Sequence, residues 1–372
     1  MQGNEVKKYL DFLVEKKGLP LLDFSVWKEH KPLLRYTAKG TGKEFLHLYS
    51  ATKPLTVACA MRLVEEGKLS LDDSVKKYLP KFANLSVKGA DGKAYPAKNE
   101  MTVRHLLTMT AGFTYDLSKP PILKLKEKGN GDTLAFVNAF ADSPLEFEPG
   151  ERFCYSLCHD VLGAVIEVAS GKPFSAYMQE VVFQPLGMRE SGFHLEKTRT
   201  LAPQYWAVDA HTIAPYPPDN ELVPSALYES GGAGVISTVD DYALFADALA
   251  CGGEGVNGNR ILQEETVNQI RTGSGEKLSL KNGFACIQGE DYGYGLGVRT
   301  RLKETDWGLP VGEFGWDGAA GTYLMVDPVH KISVVIGMHI RNWPAVFAGE
   351  HLAIVKAVYT DMQKEGVFVG KI

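Results

Sequence analysis

Ser50 and Lys53, in the run Tyr49-Ser50-Ala51-Thr52-Lys53-Pro54, place a hydroxyl and an amine three residues apart at the head of a long apolar stretch. On a helix that spacing sets both side chains on one face, where the amine can reach the hydroxyl proton. A serine attacks carbonyls poorly until a neighbouring base removes that proton, so the pair has the makings of an activated nucleophile. The spacing alone decides little. It occurs four times, at Ser25/Lys28, Ser50/Lys53, Ser74/Lys77 and Ser274/Lys277. Ser25 lies in an alternating, strand-like stretch, Ser74 opens a polar turn closed by Pro80, and Ser274 lies among glycines, whereas Ser50 leads into a helix. Ser50 as a plain helix cap and Lys53 as a solvated lysine is the competing reading, although a cation in a first turn opposes the helix dipole.

Two later stretches offer partners. Residues 147–157 form a Pro-Gly turn that presents Tyr155, a phenol able to act as acid and base, just before a helix. With sixteen tyrosines in the chain, Tyr155 alone is no better than a packing residue. Trp316-Asp317-Gly318, inside a glycine-studded strand, would let a ligand approach backbone N–H groups closely.

The elements that must position these groups follow from periodicity. Residues 4–17 read as an amphipathic helix ended by Gly18 and Pro20, and residues 22–27 and 33–37 as a hairpin with its turn at Glu29-His30-Lys31. The helix after Ser50 is apolar on nearly all sides and is predicted to be buried, with Pro54 tolerated in its first turn. From residue 71 to about 223 the chain reads as helices at 102–108, 133–141, 158–169 and 173–182, with a long proline-rich surface connection at 201–218. The last third reads as helices at 240–250 and 264–271, then short strands at 292–299, 312–316, 323–326 and 332–339, then a closing helix at 343–362. The pattern predicts an α/β fold, an antiparallel sheet flanked by N- and C-terminal helices and interrupted by a mainly helical insertion. In domain terms, 1–70 with 224–372 would form the sheet domain and 71–223 the helical one, with the active site in the cleft between them.

Composition narrows the function. Forty Lys and Arg against 45 Asp and Glu, with no basic block, argue against a nucleic-acid partner. No run reaches membrane-spanning length, and the polar first ten residues predict a soluble, cytoplasmic protein without a membrane partner. Five scattered cysteines suit reduced thiols; Cys154 and Cys158 are four apart but lack a second pair to complete a metal site. No His-x-x-x-His, no Gly-x-Ser-x-Gly and no dinucleotide-type glycine spacing occurs, so neither metal nor cofactor is expected.

Ser50-x-x-Lys53, Tyr155-Ser156-Leu157 and Trp316-Asp317-Gly318, in that order, resemble the serine β-lactamase and penicillin-binding superfamily. The likeness is to its class C-like branch, with motifs similar to the family VIII carboxylesterases. Residues 105–112, Glu148-Pro149-Gly150, residues 232–238 and Val326-Asp327-Pro328 are similar to that family's connecting motifs, and the likeness spans about residues 22 to 340. The resemblance implies a Ser50 nucleophile, Lys53 and Tyr155 sharing the proton work, and an oxyanion hole from the backbone N–H groups of Ser50 and Ala319. It also implies a substrate wall including Trp316, Gly318 and Leu157. Leu157 stands where many relatives have Asn, and Trp316 where they have a cation or His. An indole carries no charge to hold a phenolate or a carboxylate, so both departures point to a small-molecule ester as substrate. β-Lactamase, peptidase, amidase or acyltransferase action are the alternatives. A non-enzymatic penicillin sensor would call for a membrane segment to signal through.

Overall fold

The computed structural model describes residues 1–209, 211–273, 289–343 and 349–367. The Ser274/Lys277 pair and Cys286 lie outside the described residues. Among those described, seven strands form one antiparallel sheet in the order Lys31–Lys39, Leu22–Lys28, Ile332–Gly337, Tyr323–Asp327, Phe314–Asp317, Arg299–Arg301, Tyr292–Tyr294. N-terminal and C-terminal strands are therefore neighbours, with Phe24 opposite Ile336 and Val26 opposite Val334. The hairpin turn is shorter than the sequence suggests. Glu29 and His30 both take positive φ, 47° and 65°, the two-residue turn whose twist matches the flanking strands.

Strand period two sorts the core. Along Tyr323–Asp327, Tyr323 and Met325 belong to an apolar cluster with the helices Asn4–Glu15 and His351–Lys364, while Leu324 and Val326 belong to a larger one containing the helices Lys53–Glu65 and Val239–Ala250. Both faces are covered, which is why these strands read as near-continuous apolar runs. The two terminal helices hold each other. Gly3 provides no side-chain cap for Asn4–Glu15, and Asp361 of the last helix instead accepts from the backbone N–H groups of Glu5 at 3.0 Å and Val6 at 2.9 Å.

The middle of the chain is helical, with Val103–Leu107, Pro120–Lys128, Thr133–Phe140, Cys158–Ser170 and Phe174–Met178. Two sequence expectations are corrected. The proline-rich connection contains a hairpin, Gln204–Ala207 with Ile213–Tyr216, which pairs in parallel with Ile340–Arg341. Its strands are four residues each and carry Pro215, so they gave no clean alternation. The expected strand at 292–299 is two strands, Tyr292–Tyr294 and Arg299–Arg301, because the chain reverses between them. Among the described residues no helix is long and apolar enough to cross a membrane.

One charged cluster sits inside this framework. Arg299 is 1 % exposed and donates to Asp317 at 2.8 Å, to Glu313 at 3.3 Å and to the Leu324 carbonyl at 3.0 Å, with its guanidinium 4.4 Å from the Tyr323 ring centre. Removing one member of a buried ion cluster leaves its partners charged and desolvated. Arg299→Met is therefore expected to lower unfolding free energy by about 3–5 kcal/mol. Adding Glu313→Gln and Asp317→Asn is expected to restore most of the loss, as read by urea denaturation followed through tryptophan fluorescence.

Candidate active site

Ser50 is fixed by the way its chain segment enters the helix. Leu46–His47 pairs with Ile236–Ser237, and the Leu48 N–H continues the contact to the Val235 carbonyl at 2.9 Å. Tyr49 then takes a left-handed φ of 47°, an uncommon conformation for a large side chain. It is locked there by its hydroxyl, which donates to Gln204 at 2.8 Å, and by the Arg341 guanidinium 4.7 Å from its ring centre. Tyr49–Thr52 forms one 3₁₀ turn that runs directly into the helix Lys53–Glu65. Ser50 is thus no side-chain cap, and its N–H, at the start of the turn, has no carbonyl one turn back within the helix.

Lys53 is completely buried. An ammonium has three protons to place, and three acceptors surround it: Ser50 Oγ at 3.1 Å, Tyr115 Oη at 2.9 Å and the Gly232 carbonyl at 2.8 Å. Among the described residues, the other two pairs of the same spacing do nothing of the kind. Ser25 accepts from the Trp27 indole, Ser74 donates to Glu100, and Lys77 pairs with Asp73. The glycines around 232 allow the third contact. A Cβ on Gly232 would stand 2.5 Å from an Asp160 oxygen and one on Gly231 2.2 Å from the His159 carbonyl, so only glycine lets this segment pass between the two helices.

Behind Lys53 lie two further titratable groups on the helix Cys158–Ser170. Asp160, 1 % exposed, accepts from Tyr228 at 2.8 Å and Ser230 at 2.6 Å. Burial raises its carboxyl above the ordinary range, against the opposing pull of Ser230, the Lys53 ammonium and Tyr228. His159 is fully buried, and burial together with the Lys53 charge holds its imidazole neutral.

Tyr155 and Trp316 complete the site from the far side. The indole N–H of Trp316 donates to the Tyr155 oxygen at 3.0 Å, and their ring centres are 5.4 Å apart. Tyr294 meets Trp316 edge-on at 5.2 Å. Trp316 therefore engages the phenol directly through its indole N–H. Strand alternation turns Asp317 the other way, into the Arg299 cluster. Tyr155 faces Lys53 with its ring, 4.7 Å from Nζ to the ring centre, and the phenol bonded to the ammonium is Tyr115.

Tyr115 is the residue that sequence reasoning missed. It lies three positions beyond Gly112, where the recognisable 105–112 run ends, and nothing local distinguishes it from fifteen other tyrosines. Its ring stands 5.4 Å from that of Tyr155, and burial, with Tyr155 beside it, keeps its hydroxyl protonated, well above the ordinary tyrosine range. Gly318 brings the end of the Phe314–Asp317 strand against the turn before Ser50, since a Cβ there would stand 2.1 Å from the Leu48 carbonyl. Ala319, the next residue, is half-buried. Leu157 is 4 % exposed and packs in the larger apolar cluster. Ser50, Lys53, Tyr115, Tyr155 and Trp316 are thus linked by direct contacts.

Comparison with known proteins gives the family. The family described as Beta-lactamase matches residues 8–359. Protein Rv1367c of Mycobacterium tuberculosis is 32 % identical over 301 residues, covering 75 % of this chain and 73 % of its own. Esterase EstB of Burkholderia gladioli is 32 % identical over 232 residues, 54 % of this chain and 56 % of its own. The solved structure of EstCE1, a hydrolase with promiscuous acyltransferase activity, superposes with a TM-score of 0.79 at 26 % identity, covering 96 % of this chain and 98 % of that one. A match over nearly the whole chain, together with a shared fold, makes this protein a member of the beta-lactamase family and a serine hydrolase.

Proposed function

We propose that the protein is a carboxylesterase that cleaves small, uncharged esters through an acyl-enzyme on Ser50. The observation that carries this reading is the uncharged aromatic wall of Tyr115, Tyr155 and Trp316 beside the Ser50 hydroxyl. The family resemblance places a cation or histidine at the position of Trp316 in members that bind carboxylates. Similarity to esterase EstB supports the same substrate class.

In this mechanism Lys53 reacts as the neutral amine, one proton of the ammonium having passed to solvent, and Ser50 Oγ attacks the ester carbonyl while its proton crosses the 3.1 Å contact to the free Nζ lone pair. The carbonyl oxygen becomes an oxyanion held by the Ser50 and Ala319 N–H groups. Tyr155 accepts a hydrogen bond from Trp316, which leaves its own O–H proton to be given to the departing alkoxide. The C–O bond to the alcohol breaks and an acyl-Ser50 remains. Water then attacks that carbonyl, delivers its proton by the reverse route and frees the acid and the serine. Tyr115 keeps its proton and holds Lys53 against Ser50.

A second reading is acyl transfer, in which an alcohol replaces the water; the activity of EstCE1 favours testing it. Steady-state hydrolysis of nitrophenyl esters of increasing chain length, against a penicillin and a D-Ala-D-Ala peptide, tests the assignment. Fastest turnover on short neutral esters is expected. Faster penicillin cleavage, or one-to-one labelling without turnover, would overturn it.

Further outcomes follow from the roles. A fluorophosphonate should leave a single adduct, on the Ser50 peptide by mass spectrometry, and Ser50→Ala should abolish turnover while leaving the melting temperature nearly unchanged. Tyr155→Phe is expected to lower kcat by about 10²–10⁴-fold, the usual weight of a proton-transfer group. Tyr115→Phe, which removes only a support for Lys53, should cost about tenfold, less than Tyr155→Phe, with KM little altered in either. Chelators should leave ester turnover unchanged at room temperature.

A further inference from the structure

Far along the helix Val239–Ala250 from its first turn, a second cluster of reactive side chains takes no part in the hydrolase site. Asp247 and Cys251 lie one turn apart at the end of this helix, and His30, in the left-handed turn between the first two strands, closes on both. The His30 N–H donates to Asp247 Oδ1 at 3.1 Å, and His30 Nδ1 is 2.8 Å from Oδ2 of the same carboxylate. Cys251 Sγ is 3.8 Å from Asp247 Oδ1, and the three donor atoms all lie within 4.8 Å of one another.

An imidazole–carboxylate pair that merely ties a turn to a helix has no use for a thiol converging on the same carboxylate. As a free group the thiol is inert, since burial and the Asp247 charge push it up to about 12. It stays half-exposed and lines a cavity of about 330 Å³ shared with Glu264, Asn268 and Lys331, so an ion has a way in. The Asp247 carboxylate is 1 % exposed and is held in place by the His30 backbone, so it would not need to move.

We propose that His30, Asp247 and Cys251 form a zinc site that clips the first hairpin turn onto the end of the helix Val239–Ala250. Nitrogen, oxygen and sulfur donors suit zinc, with water as the fourth ligand. At bond lengths of about 2.0–2.3 Å, tetrahedral ligands stand roughly 3.3–3.8 Å apart. The imidazole therefore swings off Asp247 by under about 1 Å and the thiol closes by a similar distance. On binding, the S–H bond of Cys251 breaks, a Zn–S bond forms and that proton passes to solvent, while the proton that His30 Nδ1 places on Asp247 is exchanged through solvent to Nε2, freeing Nδ1 for the ion. Asp247 and the thiolate together neutralise the ion, while the Lys331 ammonium near Cys251 opposes it. The ligands were invisible as a motif because the histidine is 217 residues from the carboxylate.

The test uses the full-length protein, stripped with a chelator and titrated first with Co²⁺ and then with Zn²⁺. One equivalent of Co²⁺ should produce a thiolate-to-cobalt charge-transfer band that Zn²⁺ removes, and excess Zn²⁺ should raise the melting temperature by a few degrees. Cys251→Ser should lose the band, and both Cys251→Ser and His30→Gln should lose the thermal shift, with ester turnover unchanged. Absence of the band, a band that survives in Cys251→Ser, or a zinc-induced shift that survives both substitutions would overturn the proposal. Since the site lies apart from Ser50, each of these results is independent of whether the protein hydrolyses esters.

Discussion

A completely buried lysine ammonium is the constraint around which this molecule is arranged. Removing such a charge from solvent costs several kcal/mol unless its protons all find partners. Lys53 finds three, from its own helix, from a loop 62 residues away and from a glycine carbonyl 179 residues away. Each of those partners must be delivered to the same point, and this explains features otherwise unrelated. The glycines at 231 and 232 let the backbone slide between two helices, Tyr49 is held in a left-handed conformation to start the turn, and Tyr242 donates to the Ala51 carbonyl to pin it.

The sheet supplies the opposite wall by using both of its faces. On the strand Phe314–Asp317, Trp316 points into the cleft cluster and Asp317 into the buried Arg299 cluster. The strand that carries the indole is thereby tied on its opposite face to a buried charged network. The strand end next to Gly318 lies close against the Leu48 carbonyl, where only glycine fits.

At the candidate site each tyrosine hydroxyl has a partner of its own besides its neighbour. Tyr115 bonds the ammonium, Tyr155 accepts from the indole, and the three rings of Tyr115, Tyr155 and Trp316 follow one another at 5.4 Å spacings. Such a chain of rings is apolar over its faces and polar at a few defined atoms, the character expected of a pocket for neutral organic molecules.

Local spacing was enough to single out the Ser50/Lys53 contact, because the two residues are three apart and a helical turn alone brings them together. Periodicity was enough for the two terminal helices, the first hairpin and most sheet strands, whose apolar residues recur at helix or strand spacing. The hairpin at 204–216 escaped, since four-residue strands with a proline carry almost no period. The tertiary structure alone chose Tyr115 among sixteen tyrosines, joined the Trp316 indole to Tyr155 and turned Asp317 to Arg299. Hydrogen-bond partners far apart in sequence are selected by packing geometry, and a single sequence records the donors and acceptors without recording which of them the fold will place about 3 Å apart.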